Sequence, residues 1–283
     1  MLSWNGTAGG LVLGATFSAV LLGIITIQLA RYFATFPKDN MILKTTLVIL
    51  WLVECFQLCC VSESLQVYFV QRWQVPRNFA LTEATWEAAT FVFCTVCASG
   101  AVQTFFAYRI YILGNIAWLS IAVQVVVCCQ CVAGFIVGVK AEIILSLDAI
   151  VVKERWYVVT WLAIHAVADI FIAGLMCTLL WRRRTGFERT DTAIRHLIIF
   201  AIESGALTSF LAITILFTFA FYGFHITVLT LGIPAGSFCI STMIANLQAR
   251  FTIRKRVAGI SMPMVIMSPL SRRQKLQSVK GSK

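Results

Sequence analysis

Four carboxylates, Glu54, Glu63, Asp169 and Glu203, and one imidazole, His165, lie within runs of sequence that are otherwise apolar. Ionisable groups in such surroundings need a partner that supplies a proton, a counter-charge or a metal, so their spacing is weighed first. Glu54 and Glu63 are nine residues apart, about 180° around a helix and about 13 Å along it. They cannot act as an acid–base pair from one helix. His165 and Asp169 stand at i and i+4 and share a helix face. The plain reading is a hydrogen-bonded pair; the sharper one is a proton relay or half of a metal site. A zinc hydrolase needs three protein ligands, and the remaining histidines, His196 and His225, fall at opposite ends of the apolar runs. Glu203, one turn inside its run, is placed to pair with Arg195 or Arg109. No catalytic set assembles, no cofactor or metal is implied, and the chain is not expected to be an enzyme.

These residues are carried by seven apolar runs, about 11–30, 45–70, 87–108, 116–139, 157–181, 197–221 and 226–249. A hydrocarbon core of roughly 30 Å takes about 20 helical residues. In lipid only helices and closed barrels satisfy their own backbone, and these runs are too long and continuous for barrel strands. The expected fold is therefore all-α and integral to the membrane. A seven-transmembrane-helix bundle fills residues 1–250, and a basic, mostly disordered tail follows over 251–283. Only 12% of residues are charged, against about 25% in a soluble domain, which leaves too little charge for a water-facing surface. The first run lacks a basic leader and exceeds a signal-peptide core, so it reads as a retained signal anchor.

The net charge of +11 does not point to nucleic acid, because its distribution follows the membrane. With alternate connections assigned to alternate sides, 18 of the 23 Lys and Arg share a side with the C-terminus. The positive-inside rule then places the N-terminus outside and the C-terminus in the cytoplasm. Trp4, Trp73, Trp86, Trp118, Trp156 and Trp181 fall near run ends, where amphipathic rings favour the headgroup layer, whereas Trp51 and Trp161 lie deeper. All ten cysteines lie inside runs, so no secreted-type disulfide framework is expected. Cys94-x-x-Cys97 and Cys128-Cys129-Gln130-Cys131 read as packing residues of lipid-embedded helices.

Asp39 or Asn40 is placed to cap the second helix, and Pro234, flanked by Gly232 and Gly236, should kink the seventh. Gln28, Gln103, Gln124 and Asn246 read as interhelical glue, worth ~0.6 kcal/mol each. The stretch Phe251–Val257 has the composition of a basic helix lying along the membrane surface. The seventh run has no lysine for a retinal Schiff base and no Asn-Pro-x-x-Tyr. The third ends Tyr108-Arg109-Ile110-Tyr111 where rhodopsin-type receptors carry an acid-Arg-aromatic triplet. The likeness to those receptors is one of topology, by analogy.

Several stretches taken together carry a resemblance. They are Gly23…Gln28…Tyr32-Phe33, Phe36-Pro37-Lys38-Asp39…Lys44, Leu50-Trp51 with Glu54, and Gln103-Thr104-Phe105-Phe106-Ala107-Tyr108-Arg109-Ile110-Tyr111. Asp169, Arg184-Thr185-Gly186-Phe187, Thr190-Asp191, Gly205…Leu207-Thr208-Ser209 and Ala245-Asn246-Leu247-Gln248-Ala249-Arg250 complete the set. Over most of residues 10–250 the chain resembles a family of fungal, chiefly basidiomycete, seven-span membrane proteins catalogued as a domain of unknown function. The resemblance implies the fold and the membrane location; it implies no activity. Where that family's second helix has an acid and then two histidines, this chain has Glu54, Gln57 and Glu63.

Three functional readings follow. In the first, the protein is a receptor-like sensor of a small or lipophilic ligand in the plasma membrane or another secretory-pathway membrane. Glu54, Gln57, Glu63, His165 and Asp169 line its ligand pocket, and Arg109, Arg184, Glu203 and Arg250 form a cytoplasmic switch or partner face for a signalling protein. In the second, it is a transporter or proton-coupled permeation protein that uses the buried acids. In the third, it has a structural or assembly role. Convergence of Glu54, His165 and Asp169 on one cavity would favour the first two; dispersion would favour glue.

Overall fold

The computed structural model describes residues 4–37, 39–71, 86–144, 153–182, 188–223 and 225–257. Among these, the regular structure is helical and there is no strand. The helices are α1 (Trp4–Thr35), α2 (Met41–Gln66), α3 (Trp86–Gly114), α4 (Ala117–Ile144), α5 (Arg155–Arg182) and α6 (Glu188–Tyr222). The last span is in two pieces, α7 (Ile226–Gly232) and α8 (Ala235–Val257). A π turn, Val67–Gln71, prolongs α2. Seven segments are long and apolar enough to cross a membrane.

Local chemistry sets the ends. The Asn40 side chain accepts from the Ile42 N–H at 3.1 Å and so caps α2. The Tyr32 hydroxyl donates to Asp39 at 2.6 Å and the Lys44 ammonium to the Pro37 carbonyl at 2.6 Å. These bonds fix the α1–α2 turn. Asn115, between α3 and α4, has φ 51°, a conformation asparagine tolerates better than most residues. Pro234 has no N–H to give the Thr230 carbonyl, and the last span breaks there, between Gly232 and Ala235.

The helices outrun the apolar runs that announce them. α6 starts at Glu188 rather than near 197, because a helix emerging into water no longer needs apolar side chains. α2 starts at Met41 rather than 45, where its cap dictates. α8 runs through Val257 without interruption. The basic stretch 251–257, which has the composition of a surface helix, continues the seventh span as helix.

The helices form a ring in chain order, closed by α1 against α7 and α8. α3 and α8 occupy the inner positions: α3 touches α2, α4, α5 and α8, while α8 also touches α1, α2 and α6. Leu47, Val102, Ile240, Met243 and Ile244 belong to the cluster that joins α1, α2, α3 and α8. At Gly10 and Gly14 the α1 backbone lies directly on α7. An added Cβ would meet the Ile226 carbonyl oxygen at 2.7 Å and that of Leu229 at 2.6 Å. This is the small-xxx-small device of membrane helices.

Polarity is arranged inside out relative to a soluble bundle. Phe17, Ile27, Ile49, Ile121, Val125, Val167, Phe210 and Phe217 are exposed, whereas Glu54, Gln57, Gln103, Gln130, Asp169, Ser237 and Asn246 are buried. Such a surface suits lipid, where polar groups must find partners inside the protein. Trp86, Trp118, Trp156 and Trp181 project from helix ends, and the deeper Trp51 donates to Thr26 Oγ1 at 3.0 Å. The chain is thus a multi-pass membrane protein.

Candidate functional site

Two groups of interior polar residues flank α8. Ser237 faces one way and Asn246 the other, since nine residues turn a helix through about 180°.

On the Ser237 face, Glu54 projects from the middle of α2 and is 0% exposed. It accepts a hydrogen bond from the Ser237 hydroxyl, and Ser237 lies 3.4 Å, oxygen to oxygen, from Ser18 on α1. One turn along α2, Gln57 donates through Nε2 to the Ile233 carbonyl at 3.2 Å. That carbonyl sits at the helix break, so Gln57 supplies a donor where the backbone ladder is interrupted. A Cβ built on Gly236 would lie 3.6 Å from Glu54 Oε2 and 3.9 Å from Gln57 Oε1. Both side chains therefore rest on the first turn of α8. A helix start carries roughly half a positive charge, and the break at Pro234 puts that start inside the bundle beside a carboxyl group.

On the other face, Gln103 of α3 donates through Nε2 to Asp169 Oδ1 at 2.9 Å. His165 Nε2 lies 3.8 Å from Asp169 Oδ2, so the i, i+4 pair expected from sequence is present as a loose contact, beyond hydrogen-bonding distance. Beside Asp169 is a cavity of about 40 Å³ between α3, α5, α6 and α8. Gln103, Asp169, Thr208, Cys239, Thr242 and Asn246 give it polar and thiol groups; Val102, Phe106, Ile172 and Met176 give it apolar walls. At about 10–15 Å³ for each water, it takes small occupants only.

The sequence-derived site residues divide accordingly. Glu54 and Gln57 share one centre, and Asp169 and His165 share the other. Glu54, Gln57, Glu63 and His165 do not line the cavity beside Asp169. Glu63 is exposed on α2, on the side away from Glu54. Arg109 is buried near the end of α3. Arg184 lies outside the described residues, as do the side chains of Glu203 and Arg250. The cysteines of the close-spaced motifs divide as well: Cys97, Cys128 and Cys129 are exposed, Cys94 and Cys131 half-buried.

Sequence reading gives Gln103 and Asn246 a glue role only and passes over Ser237. Gln103 is 66 positions from Asp169, a separation that no local pattern reveals. Ser237 had a signal: it stands three residues after the one proline within a span, in the turn where a new helix start appears.

Residues 165–252 match a family of unknown function (DUF6534). The matched segment begins at His165 and takes in the rest of α5, all of α6 and α7, and α8 as far as Thr252. It contributes Asp169, Ser237 and Asn246, while Glu54 and Gln103 lie outside it. No curated protein and no solved structure matches the chain.

Proposed function

We propose that the protein is a receptor-like membrane sensor whose movable part is α8. One observation supports this above the others: α8 stands between two buried carboxyl groups, bonded through Ser237 to Glu54 on one face and lining the cavity beside Asp169 with Cys239, Thr242 and Asn246 on the other. A rotation or slide of α8 would break the Ser237–Glu54 bond and reshape the cavity beside Asp169 together. Two discrete arrangements of one packed element are what a switch requires. The backbone ladder is interrupted at Pro234, which gives the last span a point at which α8 can bend relative to α7.

The charge asymmetry supports an external N-terminus and a cytoplasmic C-terminus. In that orientation Arg109, Arg184, Glu203 and Arg250 all belong to the cytoplasmic end; Arg109, being buried, serves as a switch residue behind a partner face to which the other three contribute. The ligand acts from the outer side and is small or lipophilic. Glu54, Gln57, His165 and Asp169 are the groups whose bonding it redistributes, and Glu63 lies toward the outer headgroups. A plasma membrane or another secretory-pathway membrane is the setting.

The test is a distance measurement between spin labels at the inner ends of α5 and α8, in protein reconstituted in nanodiscs and screened against lipophilic compounds. A saturable shift that Glu54→Gln alters supports the sensor.

A specific observation favours a second reading. Glu54 sits at the start of a broken helix near mid-membrane, the geometry of ion sites in secondary transporters. Proton-driven flux in proteoliposomes, abolished by Glu54→Gln, would replace the sensor with a permeation protein.

A further inference from the structure

Three of the residues lining the cavity beside Asp169 carry side-chain oxygens that lack hydrogen-bond donors. Asp169 Oδ2, Gln103 Oε1 and Asn246 Oδ1 are all buried and without hydrogen-bond partners. The three residues are 8%, 4% and 1% exposed. The Gln103 amide is fixed by its own bond: Nε2 donates to Asp169 Oδ1, which leaves Oε1 as a free acceptor. Buried acceptors left unmatched cost about 1–3 kcal/mol each, and three around one cavity call for an occupant that attracts oxygens.

The oxygens belong to α3, α5 and α8, so the occupant would tie the two inner helices to α5. Asp169 supplies one formal negative charge. Its ion-pair contact among the described residues is His165, at 3.8 Å, too far for a hydrogen bond. The donor set is one carboxylate and two amide oxygens, with Thr242 also lining the space. Among the described residues no group of three or more His, Cys, Asp or Glu gathers to hold a metal. A soft or borderline transition metal would want nitrogen and sulfur; carboxylate, carbonyl and water are ligands of hard cations. A single carboxylate balances one positive charge. The cavity of about 40 Å³ leaves room for one small ion with one or two waters.

We propose that this cavity binds a sodium ion, held by Asp169 Oδ2, Gln103 Oε1 and Asn246 Oδ1. The ion clamps α8 to α3 and α5. The inference stands apart from the sensor reading: a sodium clamp could serve a sensor, a transporter or a purely structural protein.

The test is thermal unfolding of the full chain in nanodiscs, with sodium chloride replaced stepwise by choline chloride at constant ionic strength. The expected result is a saturable rise of several degrees in the unfolding midpoint with sodium, lost in Asp169→Asn and weakened in Asn246→Ala. Glu154→Gln, which removes a carboxylate at the bundle's end, keeps the rise. An equal midpoint in choline and sodium overturns the proposal and leaves the cavity to water. A sodium response that survives Asp169→Asn overturns it too. Should Asp169→Asn fail to fold, the wild-type ion series and Asn246→Ala still decide.

Discussion

Glu54 of α2 accepts a hydrogen bond from Ser237, in the first turn of α8 and three residues beyond the proline that creates that turn. A carboxyl group in the hydrocarbon region is costly, so the Ser237 hydroxyl donor matters more than a surface bond would. Ser237→Ala should cost about 1–3 kcal/mol of stability, because it strands a buried acceptor. In the Glu54→Gln background the same change should cost less, since the carboxyl group that Ser237 serves is already gone. A double-mutant cycle on the denaturation midpoint in mixed micelles reads the coupling directly. Strict additivity would mean that the two side chains do not depend on each other.

Gln57 and Pro234 make a second coupled pair. Gln57 donates to the Ile233 carbonyl at the break. Pro234→Ala restores an N–H for the Thr230 carbonyl and lets α7 and α8 join. Gln57→Ala should therefore destabilise the wild type by about 1 kcal/mol, and the Pro234→Ala variant by measurably less. Equal losses in both backgrounds would separate Gln57 from the break.

The α1–α7 contact predicts opposite outcomes for two kinds of glycine. At Gly14 a Cβ would meet the Leu229 carbonyl oxygen at 2.6 Å, whereas nothing lies within 4 Å of one at Gly23. Gly14→Leu should lower stability by about 1–3 kcal/mol through overpacking. Gly23→Ala should be neutral or stabilising by up to about 1 kcal/mol through helix propensity. Thermal unfolding of the two purified variants checks the contrast.

Cysteine reactivity reports the inside-out surface. Cys59, Cys97, Cys128 and Cys129 are exposed, and Cys60 and Cys239 are buried. In intact bilayers the exposed four should react with a lipophilic maleimide and resist a charged, impermeant one. Cys239 should react with either only after unfolding. Rapid labelling of Cys128 and Cys129 by the charged reagent would place α4 in water.

What was legible in the sequence was what lipid dictates. The need to satisfy every backbone group across the hydrocarbon makes each span a long apolar run, so the seven segments were readable one by one. Local rules of spacing and capping also carried through: Asn40 caps α2, the last span breaks at Pro234, Glu54 is buried while Glu63 nine residues on is exposed, and His165 lies over Asp169. Helix ends were harder, because propensity and caps take over once the chain leaves the apolar layer, as at Glu188 and Met41.

Pairings between distant spans left no trace. Ser237 reaches Glu54 across 183 positions, and Gln103 and Asp169 meet only because α3 lies against α5. Gly10 and Gly14 show the small-xxx-small spacing plainly, yet nothing in it names α7 as the partner. A single pocket drawn from Glu54, Gln57, Glu63, His165 and Asp169 misses α8, which stands between the acids.

The whole account depends on seven crossings with the termini on opposite sides of the bilayer. Epitope tags at the two ends, probed with antibody before and after permeabilising intact cells, measure this most directly. The account predicts that the N-terminal tag is detected on intact cells and the C-terminal tag only after permeabilisation. Detection of both tags from the same side would contradict it.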